Sequence, residues 1–140
     1  DLARQVRPTY LDLARWRRYD DAVPTLEALS AAGWTHVLLS NHVPELSDIL
    51  EAVGLTGCFA HIFNSADLGY EKPHPRTFET VLAEMGDGAE TVWMIGDSYH
   101  ADVLGAEAVG IPAILARRPH PDAKRYAETL HAVPPILPAI

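Results

Sequence analysis

The chain has 140 residues and a net charge of −8 at pH 7, with 48% hydrophobic and 21% charged residues. This composition is typical of one globular domain with an apolar core and excludes a disordered segment. The acidic excess argues against nucleic-acid or anionic-membrane partners, because both need clustered lysine and arginine. No apolar run reaches the ~18 residues of a membrane span and no signal peptide is visible, so we expect a cytoplasmic protein.

Hydrophobic periodicity and glycine or proline punctuation predict alternating helices and strands. The first half reads as a helix over 1–19 interrupted by Pro8, a helix over 23–32, a strand over 35–39, a helix over 44–53 and a strand over 61–64. The second half reads as a helix over 76–85, a strand over 92–95, a helix over 102–109 and a strand over 113–116. This alternation predicts an α/β fold, a parallel sheet with helices on both faces. We expect the proline-rich tail to pack loosely.

An apolar strand that runs directly into two aspartates is the most informative feature. Residues 92–95 deliver Gly96 and Asp97 to the carboxyl end of a strand, the edge where open α/β sheets bind ligands. Asp102 follows five residues later, so a turn into a helix could bring both carboxylates to one site. Two carboxylates suit Mg²⁺, which completes its octahedron with water and phosphate. The alternative is an ordinary helix cap after a core strand.

Two further motifs precede this one. The strand predicted over 35–39 ends in Ser40 and Asn41, and Lys72 lies in a proline-stiffened turn just before a helix. In chain order, these two motifs and the Gly-Asp motif resemble motifs two, three and four of the haloacid dehalogenase (HAD) superfamily. The resemblance runs from about residue 19 to residue 118 and includes the Pro-x-Leu-x-x-Leu-x-x-x-Gly pattern over 24–33.

The resemblance implies a domain organisation. It predicts a HAD-like Rossmannoid fold in which residues 1–20 are the remnant of a helical cap and residues 21–140 form the core domain. That core lacks its first strand, which in HAD enzymes is apolar and ends in Asp-x-Asp. The first 19 residues contain no such pattern, and Asp12 is its nearest match.

The missing strand has a physical consequence. In the family it lies between the strands that here end at Leu39 and Ile95. Parallel strands ~4.8 Å apart share hydrogen bonds, so its loss would leave backbone groups unpaired on both neighbours. We therefore expect these residues to belong to a longer polypeptide. The alternative is direct pairing of the two neighbouring strands in a rearranged, inactive domain.

The resemblance also implies a role for each motif residue. An upstream carboxylate would attack phosphorus and form an aspartyl-phosphate that water hydrolyses. Ser40 and Asn41 would bind the phosphoryl oxygens, and Lys72 would neutralise their charge. Asp97 would bind Mg²⁺ directly. Asp102 would be a second metal ligand, or an outer group that holds the metal's water or Lys72. His42 and His100 flank this site and are expected to be structural.

These roles predict a Mg²⁺-dependent phosphomonoester hydrolase that acts on a small phosphorylated metabolite. The absent nucleophile leaves a non-catalytic HAD-like binding domain as an alternative. A phosphomutase shares the same motifs, whereas a 2-haloacid dehalogenase typically has Ser-Ser-Asn in place of the Gly96-Asp97 motif. A capless enzyme with Asp12 as nucleophile is a further alternative. Because the cap reads the leaving group in this superfamily, the sequence leaves the substrate open, and it leaves the oligomeric state open as well.

Overall fold

The computed structural model describes residues 12–140, and the chain alternates helices with parallel strands as predicted. The elements are α1 (Ala22–Ala31), β1 (Val37–Ser40), α2 (Leu46–Ala52), β2 (His61–Asn64), α3 (Ser65–Leu68), α4 (Pro75–Met85), β3 (Met94–Gly96), α5 (Gly105–Ala108), β4 (Ala113–Ala116) and β5 (Tyr126–Ala127). No helix within residues 12–140 is long and apolar enough to cross a membrane.

Most predicted elements are confirmed within two residues. The strands predicted over 61–64 and 113–116 have those bounds. The helix predicted over 102–109 starts earlier, as a π-helical turn over Tyr99–Leu104 that continues into α5. Ser98 explains the early start, because its hydroxyl oxygen accepts a hydrogen bond from the Ala101 amide (3.0 Å) and caps the turn.

The predicted N-terminal helix falls largely on residues 1–11, which lie outside the described residues. In the described part, the prediction of a helix up to residue 19 is wrong. The chain makes only one 3-10 turn, Leu13–Arg15, and then runs on without regular structure to Asp20. Asp12 caps this turn by accepting from the Ala14 amide (3.2 Å) and pairs with Arg15 (3.1 Å). Such local side-chain hydrogen bonds compete with helix formation.

The segment before the proline-rich tail contributes to the core, which the sequence analysis did not predict. Residues Tyr126–Ala127 form β5, which pairs with β4, although the sequence analysis ended the strands at residue 116. Val133 is fully buried and packs with Ile114 and Ala127. Among the prolines themselves, Ile136 and Leu137 are half-buried against this cluster and Ile140 is 73% exposed.

The strands form two separate parallel sheets. One sheet pairs β1 with β2, from Val37 opposite His61 to Ser40 opposite Asn64. The other has the order β3-β4-β5, with Ile95 opposite Ile114. Within residues 12–140, no ladder joins β1 to β3. Direct pairing of these two strands, the alternative raised by the sequence, is therefore wrong.

An apolar cavity of about 570 Å³ separates the two sheets. Its walls include Val37, Leu39 and Ile95 from the two facing strands, together with Phe78 of α4. Thr25 also lines the cavity; it is almost fully buried, and its hydroxyl has no hydrogen-bond partner. Apolar walls around an unsatisfied hydroxyl are unusual in a closed core. The sheet therefore has a gap at the position where the HAD resemblance predicts a missing strand.

The second sheet carries the core, because β4 is buried on both faces. Residues of β4 alternate between two clusters, as the two-residue period of a strand requires. Ala113 and Leu115 pack with Phe78 and other side chains of the helical face. Ile114 packs on the other face, which the C-terminal segment covers. By contrast, every residue of β1 and β3 is only half-buried, because both strands border the cavity.

Helix α4 has sequence signals at both ends. His74 caps its start, where the ring Nδ1 accepts a hydrogen bond from the Arg76 amide (3.2 Å), and Pro75 takes the first helical position. Gly86 ends the helix with φ at 71°, in the left-handed region that glycine adopts without strain. The helix is thereby fixed directly after Lys72, and the Lys72–Pro73 peptide bond that leads into it is cis.

A buried ion pair joins α1 to the end of β4. Asp21 accepts from both terminal nitrogens of Arg117 (2.6 and 3.2 Å) and from the Leu130 amide (2.8 Å). The Arg117 guanidinium also lies 3.5 Å from the centre of the Tyr19 ring. The hydrogen bonds from Arg117, more than the opposing effect of burial, hold the pKa of Asp21 below its ordinary value of 3.8. Charged Asp21 therefore stabilises the folded state.

We expect Asp21→Asn to lower the free energy of unfolding by about 3 kcal/mol at neutral pH, because it leaves Arg117 buried without its counter-ion. Since folding lowers the pKa of Asp21, this contribution is complete above the unfolded value and is lost as pH falls through the lower folded value. Urea unfolding across this pH range measures the difference. Lys124→Ala, which breaks an exposed pair with Glu107, is the control and should cost less than ~1 kcal/mol. A difference between wild type and Asp21→Asn that does not change with pH would contradict this assignment.

Candidate active site

The carboxyl ends of the parallel strands bring the predicted site residues to one edge. Ser40 ends β1, and Asn41 follows it. Gly96 ends β3, and Asp97 follows it. Lys72 reaches this edge from the turn before α4, so three motifs that are far apart in sequence meet between the two sheets.

Lys72 is the centre of the site. Its ammonium donates to Asp102 Oδ1 (2.6 Å) and to the Leu39 carbonyl (3.0 Å). Both side chains of the ion pair are more than 90% buried. Removing either partner would leave the other charge buried without a counter-ion, so each side chain stabilises the charged form of the other. The pair also links the end of β1 to the helical turn after β3.

Asn41 holds the backbone of Lys72. Its side-chain oxygen accepts from the Lys72 amide (2.8 Å), and its side-chain nitrogen donates to the Lys72 carbonyl (3.0 Å). These two bonds use both ends of the Asn41 amide, so this side chain acts as a clamp on the loop that carries the lysine. Its backbone amide is the group that would be left to contact a ligand.

Asp102 is enclosed on every side. Its Oδ1 receives Lys72, and its Oδ2 accepts from the Ser98 amide (3.0 Å). The carboxylate lies directly against Gly96, where a β-carbon would overlap it. Glycine at this position thus permits the close approach of Asp102 to the strand end. With both oxygens engaged, Asp102 matches the outer-group role better than the metal-ligand role.

Asp97 differs from Asp102 in its exposure. Its side chain is 54% exposed, and its Oδ2 lies 3.8 Å from Arg118 Nε. A solvent-facing carboxylate can give an oxygen to a hydrated cation. Within residues 12–140, no three carboxylate, histidine or cysteine side chains converge as a metal site. The donor set therefore fits Mg²⁺, which usually takes one or two carboxylates and completes its shell with water and phosphate, and does not fit a closed structural metal site.

Ser40 and the two flanking histidines occupy different surroundings. Ser40 is half-buried at the end of β1, and His100 is exposed in the turn after Asp97. His42 lies with its ring 5.7 Å from that of Trp16, and burial lowers the pKa of the imidazole. Lower pKa favours the neutral ring near neutral pH, so His42 adds no positive charge for phosphate binding.

Three residues that support the site were missed by sequence reasoning. Asn64 is buried at the end of β2 and donates to the Val43 carbonyl (2.7 Å), and Ser65 Oγ accepts from the His42 amide (3.0 Å). These contacts fix the loop after Ser40. Arg118, beside Asp97, is the third. The only available signal was that all three residues lie at the end of a predicted strand or just after one, at the same edge of the sheet.

Comparisons with known proteins agree with this geometry. The family model of haloacid dehalogenase-like hydrolases matches residues 3–110. Haloacid dehalogenase-like hydrolase domain-containing protein 3 of Bos taurus is 35% identical over 124 residues, 86% of this chain and 48% of that protein. Phosphoserine phosphatase of Thermus thermophilus is 33% identical over 105 residues, 74% and 42% of the two proteins. The chain thus spans about half the length of these curated relatives.

Solved structures show the same fold. A HAD phosphatase from Thermococcus onnurineus superposes with a TM-score of 0.80 at 28% identity, covering 86% of this chain and 58% of the other. The putative HAD-hydrolase YfnB from Bacillus subtilis, solved bound to magnesium, gives 0.77 at 26% identity, covering 85% and 55%. The family match, the fold and the ordered motifs at one sheet edge together establish that this chain belongs to the haloacid dehalogenase-like hydrolases.

Proposed function

We propose that this chain is most of the core domain of a Mg²⁺-dependent phosphomonoester hydrolase whose nucleophile comes from outside these 140 residues. Lys72 carries the proposal, because it is a buried cation fixed at the ligand-binding edge by Asp102 and the Leu39 carbonyl. A preorganised ammonium stabilises negative charge most where water is excluded. Phosphatases among the relatives of the chain support the same reaction class.

The proposed reaction has two steps. An upstream aspartate oxygen bonds to phosphorus as the bond to the ester oxygen breaks, and the leaving oxygen takes a proton from a second upstream acid. Water then attacks the aspartyl-phosphate and releases inorganic phosphate and the free carboxylate. Lys72 lowers the repulsion between the attacking carboxylate and the phosphate. Ser40 Oγ donates to a phosphoryl oxygen, assisted by the Asn41 backbone amide.

Charge balance supports the Mg²⁺ requirement. Lys72 pairs with Asp102 and Arg118 with Asp97, so these four side chains have no net charge. A nucleophilic carboxylate and a phosphate of about −2 would make the site strongly negative. A bound Mg²⁺ would neutralise phosphate charge, and the exposed Asp97 is the residue that would hold it. Asp102 would not contact the ion directly; it would hold Lys72 or a water molecule bound to the ion.

We also propose that an apolar strand from outside these residues fills the cavity. The His36 carbonyl accepts a hydrogen bond from the Ala60 amide, so the backbone groups of His36 point towards β2. Because successive residues of a strand point their backbone groups to opposite sides, those of Val37 and Leu39 point away from β2. The Met94 amide donates to Pro112, so Ile95 directs its backbone groups away from β4. Both open edges border the apolar cavity, and a parallel strand between them would pair with both. Its carboxyl end would lie beside Lys72.

We propose that residues 1–20 are the remnant of a helical cap. Trp16 lies beside His42, and Arg18 donates to the Val53 carbonyl (2.9 Å), which supports the assignment of this segment as the base of a cap. We propose a small phosphorylated metabolite as the substrate and the cytoplasm as the location. The domain boundary proposed from the sequence, between residues 20 and 21, coincides with the anchoring of Asp21 by Arg117.

Asp97→Asn in the complete protein should lower kcat/KM for p-nitrophenyl phosphate by about a hundredfold or more and weaken Mg²⁺ activation, because an amide binds the ion less well than a carboxylate. Steady-state kinetics across a Mg²⁺ titration measures this, and Asp48→Asn on exposed α2 is the control. Unchanged turnover would contradict the proposal. Metal-independent halide release from a 2-haloacid would support the dehalogenase alternative, and phosphate binding without turnover would support the non-catalytic one.

Gly96→Ala should push Asp102 away from the strand end, since the new methyl group overlaps its carboxylate. We expect a loss of about 1–3 kcal/mol in the free energy of unfolding and a large fall in kcat as the Lys72 pair is disturbed. Gly57→Ala is the matched control, because no atom lies within 4 Å of its added methyl group. If Gly96→Ala has the kcat of the wild type, turnover does not depend on the position of Asp102, and the prediction is contradicted.

Hydrogen exchange tests the proposed strand. In the 140-residue chain, the Leu39 and Ile95 amides should exchange quickly, because they face the cavity without a strand partner. In the complete protein both should become protected, while Leu115, which donates to Arg125 in either case, serves as the internal control. Equal protection of Leu39 and Ile95 in both proteins would contradict strand insertion.

A further inference from the structure

A strained turn follows β4 at the edge that holds the site. Arg117 has φ at 69° and is the one non-glycine residue with a positive φ among residues 12–140. The Arg118 amide donates to the Ala116 carbonyl (2.8 Å), which closes a three-residue γ-turn around Arg117. Turns of this type are rare and cost backbone energy, and such strain persists only where surrounding contacts hold it.

Both flanks of Arg118 are anchored. On one side, Arg117 is fixed by its ion pair with Asp21 and its stacking on Tyr19. On the other side, His120 stacks on Tyr99 of the turn after β3, with ring centres 3.7 Å apart and planes 7° from parallel. The backbone of Arg118 is therefore held between two fixed points, although its own side chain is 81% exposed.

The contact that Arg118 makes does not explain this construction. Its Nε lies 3.8 Å from Asp97 Oδ2, and both side chains face solvent. Exposed ion pairs contribute little to stability, so this pair is weak. The strained turn is held by Arg117, which pairs with Asp21 and donates its amide to the Ala127 carbonyl. Lys72 donates hydrogen bonds to Asp102 and to the Leu39 carbonyl, on the side of β3 opposite Arg118. Arg118 thus presents a second, accessible cation to the site edge.

We propose that Arg118 binds a second anionic group, a carboxylate or phosphate, on the leaving part of the substrate. Because Arg118 follows β4, it lies one strand further from the cavity than Asp97, on the side away from Lys72. A planar guanidinium recognises carboxylate and phosphate through two parallel hydrogen bonds. Anchoring by Arg117 and His120 reduces the conformational entropy lost on binding. This inference rests on the proposed function and assigns Arg118 as its specificity residue.

The test compares ligands with one and two anionic groups on the complete protein with Mg²⁺. By calorimetry, Arg118→Ala should weaken binding of phosphonoacetate about ten- to a hundredfold, and by a larger factor than it changes binding of methylphosphonate. Arg118→Lys should lose part of the effect, because it keeps the charge but not the two-pronged geometry. Lys124→Ala, an exposed cation paired with Glu107, is the control and should change neither affinity.

Turnover separates this inference from the proposed function. Arg118→Ala should raise KM for phosphoglycolate about tenfold or more, and by a larger factor than it changes the KM of ethyl phosphate. Equal losses for both esters would overturn the role of Arg118 while leaving phosphatase activity intact. If wild-type protein neither hydrolyses the esters nor binds either phosphonate, the proposed function and this inference are both overturned.

Discussion

The ion pair between Lys72 and Asp102 is the contact on which the rest of the site depends. Neither charge could be buried alone at acceptable cost, and together they are satisfied by the Leu39 carbonyl and the Ser98 amide. No strand ladder joins the two sheets within residues 12–140, so this polar contact spans the gap at the ligand-binding edge. Gly96 permits it by leaving room for the carboxylate.

Burial distinguishes the two aspartates of the site, Asp97 and Asp102. Asp102 is enclosed, and its two oxygens accept hydrogen bonds from Lys72 and from the Ser98 amide. Asp97 is exposed and makes only a 3.8 Å contact with Arg118, so we propose that it is the carboxylate that holds the metal ion. Two carboxylates five residues apart thereby acquire different chemistry from their surroundings alone, one through burial and one through access to solvent.

Local signals predicted the elements well, and contacts between distant residues explain the failures. Glycine after α4 and proline at its start set the helix bounds, because these residues act through their own backbone. The burial of Val133 was not predicted, because the sequence does not show that this residue packs on Ile114 of β4. Asn64 and Arg118 were missed for the same reason, since their importance comes from neighbouring strands.

The sequence by itself determined the α/β alternation, the order of the three motifs and the edge at which they meet, because strand ends and turn residues are encoded locally. Only the tertiary structure decided that Asn41 clamps Lys72, that Asp102 is buried and Asp97 exposed, and that a cavity separates β1 from β3. Several of these features depend on contacts between residues far apart in sequence, such as Asn41 with Lys72 and Lys72 with Asp102. Hydrophobic pattern and spacing do not show which hydrogen-bond donor contacts which acceptor. Those hydrogen-bond partners give each side chain of the site its role.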